Sequence, residues 1–120
     1  MAEKKTIVAV DDSIIILKML KMFLENEYEL YAFAKGSQAL KFLKMRQPDL
    51  IILDIAMPEM DGFELLQEIK DLYSVKVPVM YLTSSNDKEN IARAMSCGAD
   101  DYVLKPVVRD TLLKKINNLI

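Results

Sequence analysis

The stretch Pro48-Asp49-Leu50-Ile51-Ile52-Leu53-Asp54 sets an unbroken apolar run between a turn-forming pair and a carboxylate. A short apolar run bounded by turn formers reads as a strand buried on both faces, the pattern of a parallel sheet covered by helices. Asp54 ends that strand. A buried, unpaired carboxylate costs several kcal/mol, so Asp54 must either face a solvated crevice at the strand's carboxyl end or be matched by a cation. Either placement marks a site.

The pattern extends in both directions. Upstream, Thr6 to Val10 is a β-branched and apolar strand that stops at Asp11-Asp12, with Ser13 where a helix N-cap stands. Ile14 to Glu25 follows as a mostly buried amphipathic helix with Lys18 and Lys21 on one side. Tyr28 to Phe33 makes a second strand, and a second helix opens at Lys35-Gly36-Ser37 with Ala39, Leu40 and Leu43 on one face. Downstream, a loop through Met57-Pro58 reaches Asp61-Gly62 and a third helix, whose Leu65, Leu66, Ile69 and Leu72 recur at helical spacing. Pro78 to Thr83 is the fourth strand. After the polar loop Thr83-Ser84-Ser85-Asn86, Asp87 caps a fourth helix that carries Ile91, Ala92 and Met95 and stops near Gly98. Asp101 to Leu104 is a brief fifth strand meeting Lys105-Pro106, and Arg109 to Leu119 closes the chain with Leu112, Leu113, Ile116 and Leu119 inward. Five alternations with short links require right-handed crossovers, which predicts a doubly wound α/β fold with helices on both faces of a parallel sheet.

The bulk numbers narrow the chemistry. The 120 residues fit a single domain spanning 1–120 with one core and no effector region. Sixteen basic against eighteen acidic residues, with no basic run, speak against direct nucleic-acid binding. The polar amino terminus and the absence of any long apolar segment predict a protein of the cytoplasm that neither enters nor crosses a membrane. The single cysteine, Cys97, fits a reducing compartment, and its position before Gly98 suits a small core or helix-end residue. There is no histidine, so Ser-His-Asp and Cys-His catalysis and imidazole metal sites drop out. Oxygen ligands, lysine, arginine and hydroxyls remain, the inventory of a hard-cation and phosphate site.

In an open α/β sheet, ligands sit beyond the carboxyl ends of the strands. The residues at those ends are Asp11 and Asp12, Asp54, Thr83 and Lys105. Three converging carboxylates repel unless a cation neutralises them, and Mg2+, with Mn2+ as a substitute, takes carboxylates in an octahedral oxygen shell. Asp12 and Asp54 suit direct ligation, with Asp11 reaching through water. Lys105 can pair with Asp54 at rest and with a phosphoryl group when one is present, and Thr83 offers that group a donor. Each residue also has a plainer reading: Asp11 and Asp12 as helix caps, Thr83 and Tyr102 as ordinary strand residues, Lys105 as a solvated charge. Their joint occurrence at four strand ends favours a site.

The residues that carry a family likeness are Val10-Asp11-Asp12-Ser13, Pro48 to Asp54, Met57-Pro58, Asp61-Gly62, Leu82-Thr83-Ser84, Gly98-Ala99-Asp100-Asp101-Tyr102 and Leu104-Lys105-Pro106. In this order the whole chain resembles the receiver domain of two-component response regulators, of the chemotaxis-regulator type. The resemblance implies a flavodoxin-like (βα)5 sandwich with strand order 2-1-3-4-5. It implies Asp54 as phospho-acceptor, with Lys105 and Thr83 as its catalytic partners. It adds Ala56 to the metal ligands Asp11, Asp12 and Asp54, makes Thr83 and Tyr102 switch residues, and suggests a cis Lys105-Pro106 bond. Ala56 and Ser85 fall where side chains are associated with the lifetime of the phosphoryl group, and both are small here, which leans to a long-lived phosphoaspartate. The implied partners are a sensor histidine kinase or phosphotransfer protein, met through the first helix, and a downstream effector protein or domain. The fourth helix, fifth strand and fifth helix would change on phosphorylation. Asp100 and Asp101 with Arg93 and Arg109 resemble the charged face of a phosphorylation-dependent homodimer in one receiver subfamily, with the reading as ordinary surface ions slightly ahead. An aspartyl phosphatase would want a second acid where Ala56 stands, and a flavin-binding module would want a Gly, Ser and Thr-rich loop where Asp11-Asp12 stands. A degenerate receiver acting only through protein contacts would not keep the complete five-residue set.

Overall fold

A computed structural model describes residues 4–54, 62–72, 77–84 and 88–120. The expectations placed on Ala56, Met57-Pro58, Asp61 and Ser85 to Asp87 lie outside the described residues. Five strands alternate with five helices: β1 (Lys5–Val10), α1 (Ile14–Leu24), β2 (Tyr28–Phe33), α2 (Gly36–Met45), β3 (Leu50–Asp54), α3 (Gly62–Leu72), β4 (Val79–Ser84), α4 (Lys88–Ser96), β5 (Asp101–Lys105) and α5 (Arg109–Leu119). The strands form one parallel sheet in the order β2-β1-β3-β4-β5. The doubly wound architecture expected from the alternation and the flavodoxin-like strand order implied by the resemblance are those observed.

The period of two along each strand sorts the core into two layers. Val8, Val10, Ile51 and Leu53 point to the side covered by α2, α3 and α4, where Ala39, Leu43, Leu65, Leu66, Ile69 and Ala94 meet them. Ile7, Ala9, Leu50 and Ile52 point to the other side, against Leu17, Leu20 and Leu24 of α1 and Leu112 and Ile116 of α5. Every residue of β3 is buried, as its continuous apolar run requires, and each aliphatic side chain removed from water stabilises the fold by about 2 kcal/mol. The edge strands β2 and β5 are half exposed. Asp49 ties the start of β3 to β1, its N–H donating to the Thr6 carbonyl at 2.8 Å and its Oδ2 accepting from the Thr6 N–H at 2.8 Å.

Two helices present faces other than those expected. α1 is not mostly buried: it buries only Leu17, Leu20 and Leu24, while Ile14, Ile15 and Met22 are 55%, 73% and 70% exposed. A helix lying on a sheet hides a stripe little more than 100° wide, so further apolar residues on its girth stay in water. On α4 the inward residues are Ile91 and Ala94, whereas Ala92 and Met95 face solvent. Both the i,i+3 and the i,i+4 rows fit helical periodicity, and the close seat on the sheet selects the small Ala94. The helix ends as expected: Gly98 takes φ +111°, and the Ala99 N–H returns to the Ala94 carbonyl at 3.0 Å. Strand limits shift by one residue because ladder pairing continues through Ser84 and Lys105. Among the described residues no helix is long and apolar enough to cross a membrane.

Candidate functional site at the carboxyl edge of the sheet

The ladder register assembles the site. Val10 pairs with Leu53, so the residues that follow, Asp11 and Asp54, leave the sheet side by side. Asp54 pairs with Leu82, which puts Thr83 one step beyond it, and Ser84 pairs with Lys105. The Lys105-Pro106 peptide is cis.

Asp11 is fully buried and Asp54 only 3% exposed. Lys105 reaches over both: Nζ lies 3.0 Å from Asp11 Oδ2 and donates to Asp54 Oδ2 at 3.3 Å. The pairing with Asp54 was expected; the shorter approach to Asp11, expected to act through water, was not. Asp11 Oδ1 accepts from the Ser13 N–H at 2.9 Å, and the Ser13 hydroxyl in turn accepts from the Ile16 N–H, so one short turn both caps α1 and aims the carboxylate. Thr83 is 3% exposed, and its hydroxyl donates to the Ser84 carbonyl at 3.3 Å. Asp12 is exposed at the mouth, with a carboxylate oxygen within 4.8 Å of those of Asp11 and Asp54.

The electrostatics are unbalanced toward negative charge. Burial pushes the Asp11 carboxyl above its ordinary range, and the nearby Asp54 pushes it further, against the lowering pull of the Ser13 N–H and of Lys105. Burial alone would lower Lys105, but the carboxylates of Asp11 and Asp54 outweigh it and hold the amine above its ordinary value, so it is an ammonium at neutral pH. Among the described residues one cation, Lys105, reaches this group of three carboxylates. The buried Asp11 Oδ2, although close to the ammonium, accepts no hydrogen bond among the described residues. An all-oxygen donor set, a buried carboxylate oxygen that has an ion pair but no well-aligned hydrogen bond, and an excess of negative charge among the described residues fit a hard divalent cation such as Mg2+.

The raised Asp11 carboxyl has a measurable sign. Its ionisation costs folding stability as pH rises above the ordinary carboxylate value, and the cost is complete once pH passes the raised value. Asp11→Asn keeps the acceptor for the Ser13 N–H and removes the charge, so in EDTA at neutral pH its Tm should rise by about 4 °C, the shift produced by about 1 kcal/mol at this size. Differential scanning fluorimetry checks this; a lower Tm in EDTA would contradict the charge balance described.

Of the remaining expected residues, Tyr102 lies half-buried on β5, paired with Tyr81. The four charged residues expected on the outer face each have a partner of their own. Asp100 pairs with Lys70 at 3.3 Å and accepts from the Val79 N–H at 2.8 Å, Asp101 pairs with Lys115 at 3.4 Å, the Arg93 guanidinium stacks 3.9 Å from the Phe63 ring centroid, and Arg109 lies 3.7 Å from Asp110. Nothing in the sequence marks Lys115 except its place on α5 between the inward Leu112 and Ile116.

The family model for the response regulator receiver domain matches residues 7–117. The chain is 32% identical over 117 residues to the chemotaxis protein CheY of Halobacterium salinarum, covering 97% of each. It is 38% identical over 103 residues to the response regulator GtcR of Aneurinibacillus migulanus, covering 85% of this chain and 42% of that protein. The chain spans about half the length or less of several curated relatives it matches. Among solved structures, the chemotaxis protein CheY4 of Vibrio cholerae superimposes with a TM-score of 0.89 at 31% identity, over 98% of this chain and 100% of that one.

Proposed function

The chain belongs to the response regulator receiver domain family of two-component signalling, and we propose that it works as a switch whose state is set by a phosphoryl group on Asp54. The observation that supports this reading most is the Lys105 ammonium reaching both Asp11 and Asp54 at the carboxyl edge of the sheet, with Asp12 at the mouth. On this reading the whole chain is one receiver domain of the cytoplasm, serving a sensor histidine kinase or phosphotransfer protein on one side and an effector protein or domain on the other.

A carboxylate oxygen of Asp54 attacks the phosphorus in line. The new O–P bond forms as the bond to the leaving atom breaks, and the electron pair departs on the imidazole nitrogen of a donor phosphohistidine, or on acetate when acetyl phosphate is the donor. The chain has no histidine, so the phosphohistidine belongs to another protein. Lys105 exchanges the Asp54 oxygen for a phosphoryl oxygen and so stabilises charge that moves outward during transfer. Asp11, Asp12 and Asp54, with Ala56 as a further ligand, would hold Mg2+ or Mn2+, which when bound neutralises phosphoryl oxygens. Thr83 turns its hydroxyl from the Ser84 carbonyl to the phosphoryl group. That movement leaves room for Tyr102 to follow, and the surface of α4, β5 and α5 shifts its population toward the partner-binding form. Pairing of two chains across that surface would need Asp101 and Arg93 to exchange their contacts within the chain for contacts with a partner.

Acetyl phosphate labelling tests the proposal. With Mg2+ the protein should acquire one phosphoryl group, and with EDTA uptake should fall to background. No uptake in Mg2+, or equal uptake in EDTA, would refute it.

A further inference from the structure

Tyr102, half-buried against the core layer that includes Tyr81 and Ala94, is also held by one cation. The ammonium of Lys115 sits 4.4 Å from the centroid of the Tyr102 ring, donates to the carbonyl of the same residue, and pairs with Asp101 Oδ1 at 3.4 Å. Three contacts from one cation thus converge on two consecutive residues of β5. The base of Lys115 is fixed by α5, where Leu112 and Ile116 are fully buried on either side of it in sequence. Half-exposed ion pairs contribute little on their own, and a lysine gives up rotamer freedom to hold one geometry. The ring face and the carbonyl supply what the ion pair lacks.

We infer that Lys115 is a positioning residue that latches Tyr102 in the arrangement observed, so that any turn of the ring away from Lys115 must first give up the ammonium beside it. The inference rests on the reading of Asp54 as phospho-acceptor and Tyr102 as responder, and it adds the residue that sets how readily the response occurs. Lys115 raises the cost of the responsive conformer and thereby lowers its population before phosphorylation.

Lys115→Met keeps an apolar stem and removes the ammonium, whereas Lys115→Arg keeps a cation over the ring. The ring signals of the five tyrosines can be followed by NMR, with Tyr102 assigned through Tyr102→Phe. In the unphosphorylated Lys115→Met protein, the Tyr102 signals should move toward the positions that the wild type takes in Mg2+ and beryllofluoride. Its uptake from acetyl phosphate should be about three- to tenfold faster, the change a partly exposed cation–π contact produces in an equilibrium. Lys115→Arg should stay near the wild type in both. A packing role alone would lower Tm and leave both readouts unmoved, and that result overturns the inference. Should Lys115→Met fail to fold, Lys115→Gln, which also removes the ammonium from the ring face, must shift the Tyr102 signals in the same direction; unchanged signals overturn the inference equally. If the wild type itself neither takes up phosphate nor responds to beryllofluoride, the reading of Asp54 fails and the latch falls with it, whereas failure confined to the variants counts against the latch alone.

Discussion

Replacing Asp54 by alanine should abolish phosphoryl uptake from acetyl phosphate and Mg2+ while leaving the fold intact. Neither neighbouring acid can stand in. Asp11 has no exposed surface, and one of its oxygens is committed to the Ser13 N–H, which holds the carboxylate against the base of the crevice. Asp12 is exposed at the mouth, and the Lys105 ammonium that would stabilise transferred charge reaches Asp11 and Asp54 instead of it. The fold survives because Lys105 keeps its 3.0 Å approach to Asp11 after Asp54 is lost, so no buried charge is left alone. Label incorporation read beside circular dichroism checks both parts; incorporation at the wild-type level would show that Asp54 is not the acceptor.

Lys105→Met should slow uptake by roughly 10²- to 10³-fold, the loss usually seen when one preorganised charge-stabilising donor is removed. The same change should lower stability in EDTA, because Asp11 and Asp54 are both buried and Lys105 is the cation that reaches them both among the described residues. Loss of a buried partner costs about 3–5 kcal/mol at its upper end, and the partial exposure of the Lys105 side chain, 24%, reduces that. A divalent cation bound at the three carboxylates would replace the missing positive charge. Mg2+ should therefore raise the Tm of Lys105→Met more than it raises that of the wild type. Rapid-quench labelling gives the first effect and melting curves with and without Mg2+ give the second. Wild-type uptake in Lys105→Met would remove the lysine from the chemistry.

The sheet and the converging strand ends were legible in the sequence because a parallel sheet leaves little freedom. Its central strands must be apolar on both faces, so the polar residue that ends each run is conspicuous, and parallel pairing sends all such ends to one edge. Asp54 after Leu50 to Leu53 and Asp11 after Val10 are read directly in this way. The outward faces of the helices were not legible. α1 carries apolar residues around most of its girth, and only contact with the sheet decides that Leu17, Leu20 and Leu24 are inside while Ile14, Ile15 and Met22 are not. On α4 the choice of Ala94 over Met95 is likewise made by the neighbouring strand. Contacts between charged groups far apart in sequence leave no periodic trace, so the approach of Lys105 to Asp11, the pairing of Lys70 with Asp100 and the grip of Lys115 on Tyr102 emerge only from the fold.

The resting position of Lys105 and the chemistry assigned to Asp54 are two aspects of one arrangement. An acid at the end of a fully buried strand is tolerated because an ammonium reaches it, and under the proposed function that ammonium would become available to a phosphoryl oxygen once the charge of the carboxylate is spread over the new group. The measurement that tests this most directly is the location of the phosphoryl group on the wild-type chain, by digesting protein labelled with acetyl phosphate and Mg2+ and sequencing the modified peptide by mass spectrometry. The account predicts the mass of one phosphoryl group on Asp54 and on no other residue; a phosphoryl group found on Asp11, Asp12 or a hydroxyl side chain, with Asp54 unmodified, would contradict it.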